Sequence, residues 1–209
     1  GLKVTGVDTL TTPTKIKLEW GSDNPYFYKT VDYSKLNIER KEGSTTDCVI
    51  VNHGVEFPCH TTVLSSKSEY FKINAKLNVH NSKKFSIPDD FSKKAVEKVL
   101  DYVYTHEINL KEYSVSELIK MAKVADYLRL VHLTDMCIAR LKTLVTENNC
   151  HKILEIANQY SFVELTQRCE EFLINIVDSE NCNAIDKLAE TYNLLALQEK
   201  LKDFKGKYS

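Results

Sequence analysis

Glycine and proline are scarce in this sequence, Gly 6 and Pro 4 in 209 residues, so extended disorder is not expected. An excess of one charge is also missing. Lys+Arg 28 against Asp+Glu 29 leaves a formal net charge of -1, and no basic field exists to neutralise a phosphate backbone. Nucleic acid is therefore not an expected partner. No run approaches the roughly 20 apolar residues of a membrane span, and no signal-peptide pattern opens the chain. A soluble protein with no membrane partner is expected. There is no C-x-x-C, and the six cysteines (Cys48, Cys59, Cys137, Cys150, Cys169, Cys182) lie too far apart to frame a small secreted fold. They read as reduced thiols in cytoplasm or nucleus. Neither a glycine-rich phosphate loop nor a G-x-S-x-G elbow occurs, so neither an enzyme nor a cofactor is expected.

What is present is globular: hydrophobic residues make up 43% and charged residues 27%, enough for one large or two small domains, and two is the reading adopted. Opening on Gly1 rather than Met reads as a processed or engineered fragment. Ile16, Leu18 and Trp20 alternate with charged residues over 15–20 and predict a strand with one apolar face. Cys48 to Val51 and Val55 to Phe57 predict a hairpin around Asn52-His53-Gly54, and Lys84 to Ile87 a further short strand stopped by Pro88. From residue 92 the period becomes helical, with Val96, Val99, Leu100 and Val103 on one stripe. Helices are expected near 61–72, 92–104, 115–127, 130–143, 148–159, 162–176 and 189–203, those of the second half forming a stack of helix pairs. Capping boxes are read at Ser114/Glu117 and Ser161/Glu164, with Thr146 capping the helix between. No repeat period stands out.

Three segments then align in order and spacing: Thr46 to Val51, Val55-Glu56-Phe57-Pro58-Cys59-His60, and Val63 through Tyr70-Phe71. Together with Tyr104-Thr105-His106, Ala122 to Leu128 and Cys137, they resemble a BTB (POZ) domain. Leu36, Asn37, Arg40, Gly43 and Asp47 look like the segment that begins longer BTB domains. Asn148-Asn149-Cys150, Ile153-Leu154, Tyr160, Leu165, Cys169 and Phe172 look like the BACK helices of kelch-type BTB proteins. The resemblance covers roughly 36–176. It implies an α+β fold, a helical cluster capped by a short sheet, followed by an all-α BACK stack. The chain is divided accordingly into an N-terminal extension (1–44, with a possible exchanged strand and a first helix), a BTB domain (45–145) and the N-terminal part of a BACK domain (146–209).

The resemblance also implies a homodimer, for which Leu36 and Ile38 are the interface candidates, and an adaptor role. In many members the module grips the BTB-specific cullin of a ubiquitin ligase while a separate domain holds the substrate protein. The candidate cullin-facing residues here are Tyr70, Phe71, Asn74, Ala75, Leu77, Tyr104 and His106. Asn74 and Ala75 stand where a bulky anchor is usual, and no acid follows before Asp89; Leu77 is the substitute anchor. Thr61 stands where many dimeric BTB repressors carry a cation opposite the residue matching Asp47. The alternative is an oligomerisation or scaffolding module that binds no cullin.

Other reactive-looking residues have simpler readings. Cys59 and His60 are adjacent on a strand and face opposite ways, so they do not form a nucleophile–base pair. Cys150-His151 lacks a second ligand pair at finger spacing, so no metal is expected. Asp89-Asp90 sit ahead of a helix start, where negative charge is locally favourable. Lys200, Lys202, Lys205 and Lys207 read as a solvated tail.

Overall fold

The fold is given by a computed structural model that describes residues 33–77 and 83–208. The strand expected at 15–20 lies outside the described residues. Among these there are ten α-helices and a sheet of three strands. In chain order they are α1 (Ser34–Glu42), β1 (Cys48–Asn52), β2 (Val55–Cys59), α2 (Thr61–Lys67), α3 (Glu69–Leu77), β3 (Lys84–Ser86) and α4 (Lys93–Thr105). Then follow α5 (Val115–Tyr127), α6 (Val131–Lys142), α7 (Glu147–Gln159), α8 (Val163–Ile176), α9 (Cys182–Thr191) and α10 (Leu195–Tyr208). This is the expected α+β architecture, a small sheet beside a helical cluster that continues into stacked pairs.

The hairpin forms where the sequence placed it. Asn52 pairs with Val55, so His53 and Gly54 alone make the turn, at φ 52° and 71°. Positive φ at both positions matches the right-handed strand twist, and glycine at the second avoids the Cβ penalty there. Cys48, Ile50 and Asn52 point inward from β1, and β3 pairs parallel to β1. A parallel neighbour needs a crossover, which α2 and α3 supply.

Two expected helices are each two. Helix 61–72 breaks at Ser68, which is extended (φ -127°, ψ 121°) because its hydroxyl donates to the Leu128 carbonyl (2.5 Å) and accepts the Phe71 N–H (3.3 Å). That one buried side chain ends α2 and starts α3. Helix 189–203 instead runs as α9 and α10, parted by a turn at Tyr192-Asn193-Leu194. Ser114 and Glu117 form their capping box. Ser161 does not cap: it takes φ 56° in the turn, and Phe162 occupies the cap position instead. Asn149 accepts from the Thr146 N–H at 2.8 Å. Asp89 accepts from the His53 N–H in the hairpin turn, so it holds the turn rather than a helix end.

The structure also reveals a repeat that the sequence reading missed. Arg129, Ser161 and Asn193 all have left-handed backbones (φ 56°, 56°, 51°) and lie 32 residues apart. In each case the next N–H bonds back to an alanine carbonyl: Leu130 to Ala125 (2.8 Å), Phe162 to Ala157 (2.8 Å) and Leu194 to Ala189 (2.9 Å). This is a Schellman turn, the six-to-one closure that satisfies the last carbonyls of a helix. Leu133, Leu165 and Leu197 then fall on equivalent positions with 0% exposure. The pairs α5–α6, α7–α8 and α9–α10 are three copies of one helix–turn–helix unit, with α6 packing on α8 and α8 on α10.

Candidate partner-binding surfaces

The first surface is α1. Gly43 ends it with a left-handed cap (φ 73°) whose N–H reaches Arg40 and Glu39. Arg40, 1% exposed, crosses to α4, where its Nη2 donates to Glu97 (3.0 Å) and Asp101 (2.9 Å). Its Nε donates to Asn37 Oδ1 (2.7 Å), and its guanidinium lies 5.3 Å from the Tyr104 ring centre. Burial tends to raise the Asp101 pKa, but hydrogen bonds from Lys41 and Asn37 and the nearby cations hold it below the ordinary carboxylate value. This clamp turns one face of α1 inward and leaves Ile38 60% exposed. Leu36 is half-buried against the chain's own core, so of the two dimer candidates only Ile38 is freely presented.

Beside the clamp, four side chains form a hydrogen-bonded chain. The Tyr104 oxygen accepts from the His60 backbone N–H (2.8 Å), leaving its own hydrogen for His60 Nδ1 (2.9 Å). His60 Nε2 then faces Thr45 Oγ1 (3.0 Å), which donates to Glu39 (2.7 Å). That arrangement needs a neutral imidazole. Burial lowers the His60 pKa below 6.5, against the opposing pull of Asp47 and Glu39. The folded state thus resists a proton that the unfolded chain takes up, and the stability His60 confers is present above pH 6.5 and lost as pH falls through the lowered folded value. Urea midpoints should decline from pH 7 toward about pH 5, and less steeply in His60→Gln. Equal slopes would show that another group sets the decline.

These contacts correct the sequence reading of two candidates. Tyr104 is 0% exposed and Phe71 1% exposed, so neither offers a surface to a partner. Phe71 packs edge-on against Tyr70 (5.1 Å between ring centres) and Phe85 (5.2 Å). An aromatic residue at that point of α3 closes the core beneath the sheet, because the break at Ser68 rotates it inward. Tyr70 is half-buried, its hydroxyl 3.4 Å from that of Tyr127, and the Asn74 amide donates to the Tyr70 carbonyl (2.8 Å). Ala75 is half-buried, whereas Ile73 is 50% exposed. Ile73 is an apolar group that α3 shows to solvent, flanked by exposed Lys72 and Lys76. Its helical phase becomes legible only once the break at Ser68 is known. His106 sits apart, at the left-handed end of α4 (φ 57°), in a shallow cleft of about 690 Å³ that also includes Lys98, Glu107 and Tyr113 but no residue of α3.

All six cysteines are free, and burial pushes the Cys59 thiol well up and the Cys48 thiol to about 11. Among the described residues no cluster of three His, Cys, Asp or Glu could hold a metal ion. Asp47 accepts from the Thr61 N–H (2.7 Å) at the start of α2 and from Lys83 (3.2 Å). The aspartate therefore finds a cation after all, supplied from residue 83 rather than from 61. Burial raises its pKa, but these bonds outweigh it and hold the carboxyl below its ordinary value.

The last surface is a groove of about 640 Å³ between the first two repeat turns. Val131 (68% exposed) and Val163 (63% exposed) stand on its edges, Ile138, Tyr160 and Phe162 line it, and Asp126, Arg129, Asp135 and Glu164 surround it, with Lys142 paired to Glu164 (2.9 Å) and Lys123 over the Tyr160 ring (5.4 Å).

Exposed apolar side chains on rigid helices, set on a buried polar frame, define a protein-interaction module. The family model for the BTB/POZ domain matches residues 36–145. The chain belongs to that family. Kelch-like protein 40 of Xenopus laevis is 33% identical over 105 residues, 50% of this chain and 17% of its own length. Kelch-like protein 38 of Danio rerio is 31% identical over 117 residues, 56% of this chain and 20% of the relative. Zinc finger and BTB domain-containing protein 14 of Gallus gallus is 36% identical over 99 residues, 46% of this chain and 22% of the relative. The chain spans about a fifth of the length of these curated relatives. Among solved structures, the BTB domain of zebrafish PATZ1 is similar, with a TM-score of 0.46 and 24% identity, over 53% of this chain and 88% of that one. The helices from Glu147 onward are consistent with a BACK stack. Among the described residues no helix is long and apolar enough to cross a membrane.

Proposed function

We propose that this chain is an adaptor, acting in cytoplasm or nucleus, that pairs with a second copy through α1 and binds the BTB-specific cullin of a ubiquitin ligase through α3. The division into an extension (1–44), a BTB domain (45–145) and a BACK segment (146–209) belongs to the same reading. The observation that carries it is Ile73, half exposed on a helix whose other face is locked into the core by Phe71. A rigid helix with one outward apolar side chain is what an anchor in a partner's pocket requires. Tyr70, Asn74 and Ala75 border it, and Leu77 falls four positions further along. The adaptor performs no chemistry; it raises the effective concentration of a bound substrate protein beside the ligase.

A second reading, oligomerisation without a cullin, draws on the lysines either side of Ile73 and the lack of a following acid on α3. Calorimetric titration with the cullin's N-terminal domain separates the two. The adaptor predicts submicromolar binding that Ile73→Asp weakens at least tenfold, about 1.4 kcal/mol. Ile38→Asp should leave that affinity intact and yield a monomer by light scattering. No heat with the unmodified chain would leave the oligomerisation reading, and a dimeric Ile38→Asp would remove α1 as the pairing face.

A further inference from the structure

The three repeat turns present the same kind of side chain outward. Two residues past each left-handed residue stand Val131, Val163 and Leu195, which are 68%, 63% and 67% exposed. A position that is apolar in every copy of a repeat, yet open to solvent in every copy, makes a row rather than three isolated residues. Because α6 packs on α8 and α8 on α10, neighbouring members of the row are separated by roughly one helix spacing, ~8–10 Å. A segment extended in the polyproline II conformation rises ~3.1 Å per residue with three residues per turn, so every third residue lies on one face and would meet the next member of the row.

Charge along the row is not uniform. The groove at the first junction has an apolar wall, Ile138 and Ala139 of α6. The equivalent positions of α8, 32 residues on, are Glu170 and Glu171. Glu170 accepts the Leu197 N–H at 3.0 Å, which shows that this side of α8 faces the third turn as that side of α6 faces the second. Glu171 is exposed, and its nearest cation, Arg168, is 3.9 Å away on its own helix. Tyr160 has its counterpart in Tyr192 and Phe162 in Leu194, so the apolar lining of the turn itself is kept. The second junction therefore keeps the apolar turn but moves its acids: Asp126, Asp135 and Glu164 around the first groove become Asn158, Gln167 and Ala196, and two carboxylates stand instead on the wall, beside the apolar row.

We infer that the junction between Val163 and Leu195 is a second docking position on this edge, for an extended, basic segment of a partner protein with apolar side chains at every third residue. Leucine-like side chains would lie against Val163 and Leu195, and Lys or Arg between them would pair with Glu170 and Glu171. This site is separate from the α3 surface and does not depend on a cullin.

The test is an NMR titration of the full chain, amides observed, with a short synthetic peptide carrying leucine at every third position and lysine between. A counterpart with glutamate for lysine is the control. The lysine peptide is expected to shift the amides of 161–163 and 193–195 and the glutamate peptide to leave them in place. Leu195→Lys should weaken binding at least tenfold with the thermal midpoint unchanged, since the side chain is mostly in solvent. Ile73→Asp should leave the titration as it was, which keeps this result independent of the α3 reading. Shifts confined to the first groove, equal binding of the glutamate peptide, or no shifts at all would each overturn the inference.

Discussion

Arg40→Ala should lower folding stability by about 3 kcal/mol, measured by urea denaturation, the largest loss expected from any single charge deletion among the described residues. Deleting the guanidinium removes donors to Asn37, Glu97 and Asp101 at once. Two carboxylates on successive turns of α4 would then face each other with Lys41 alone to offset them. The lower end of the range for broken buried pairs applies because Glu97 and Asp101 keep 34% and 24% of their side-chain surface in water. Arg40→Met combined with Glu97→Gln and Asp101→Asn should recover much of the loss, since the penalty lies in stranded charge rather than in missing attraction. A single substitution that cost under about 1 kcal/mol would mean that α1 is held by apolar contacts and that the clamp only orients it.

Phe71→Ala should be costlier still, at about 3–5 kcal/mol, by the same measurement. The side chain is fully enclosed between Tyr70 and Phe85, and the helix break at Ser68 on one side and β3 on the other leave little room for collapse into the cavity. A partner-binding assay on this variant would report unfolding rather than a lost contact, which is why Ile73→Asp is the informative substitution on α3. Near-native stability for Phe71→Ala would show that α3 is free to shift, and the rigid presentation of Ile73 would fail with it.

Much of this was legible beforehand, and the exceptions have physical causes. The apolar run Cys48 to Val51 before Asn52-His53-Gly54 pointed to the hairpin, and the two-residue turn with the period-two burial of β1 leaves a single register. The Ser114/Glu117 box fixed the start of α5. What failed were breaks that the helical period runs straight through. Ser68 ends α2 by a bond to a carbonyl 60 residues away, a tertiary contact with no local trace. The repeat escaped notice because its turn residues are Arg, Ser and Asn, alike only in backbone conformation, and because glycine, the usual marker, is absent from all three. Candidate residues misled where a motif was read as a surface: Tyr104 and Phe71 sit where the family pattern puts them, but the reason they are there is packing. Ile73 carries no such local mark, because its outward phase depends on where α3 begins.

The repeat also bears on how the two halves move. The span matched by the family model ends at residue 145, yet α6, inside that span, packs directly on α8 beyond it. Only residues 143–146 separate α6 from α7, and Arg168 of α8 reaches back to the Lys142 carbonyl at 3.3 Å. The junction is thus a splice rather than a swivel. A partner docked at the third turn, as inferred above, would keep a fixed bearing to the face of α1, its reach set by helix stacking and not by the wandering of a tether.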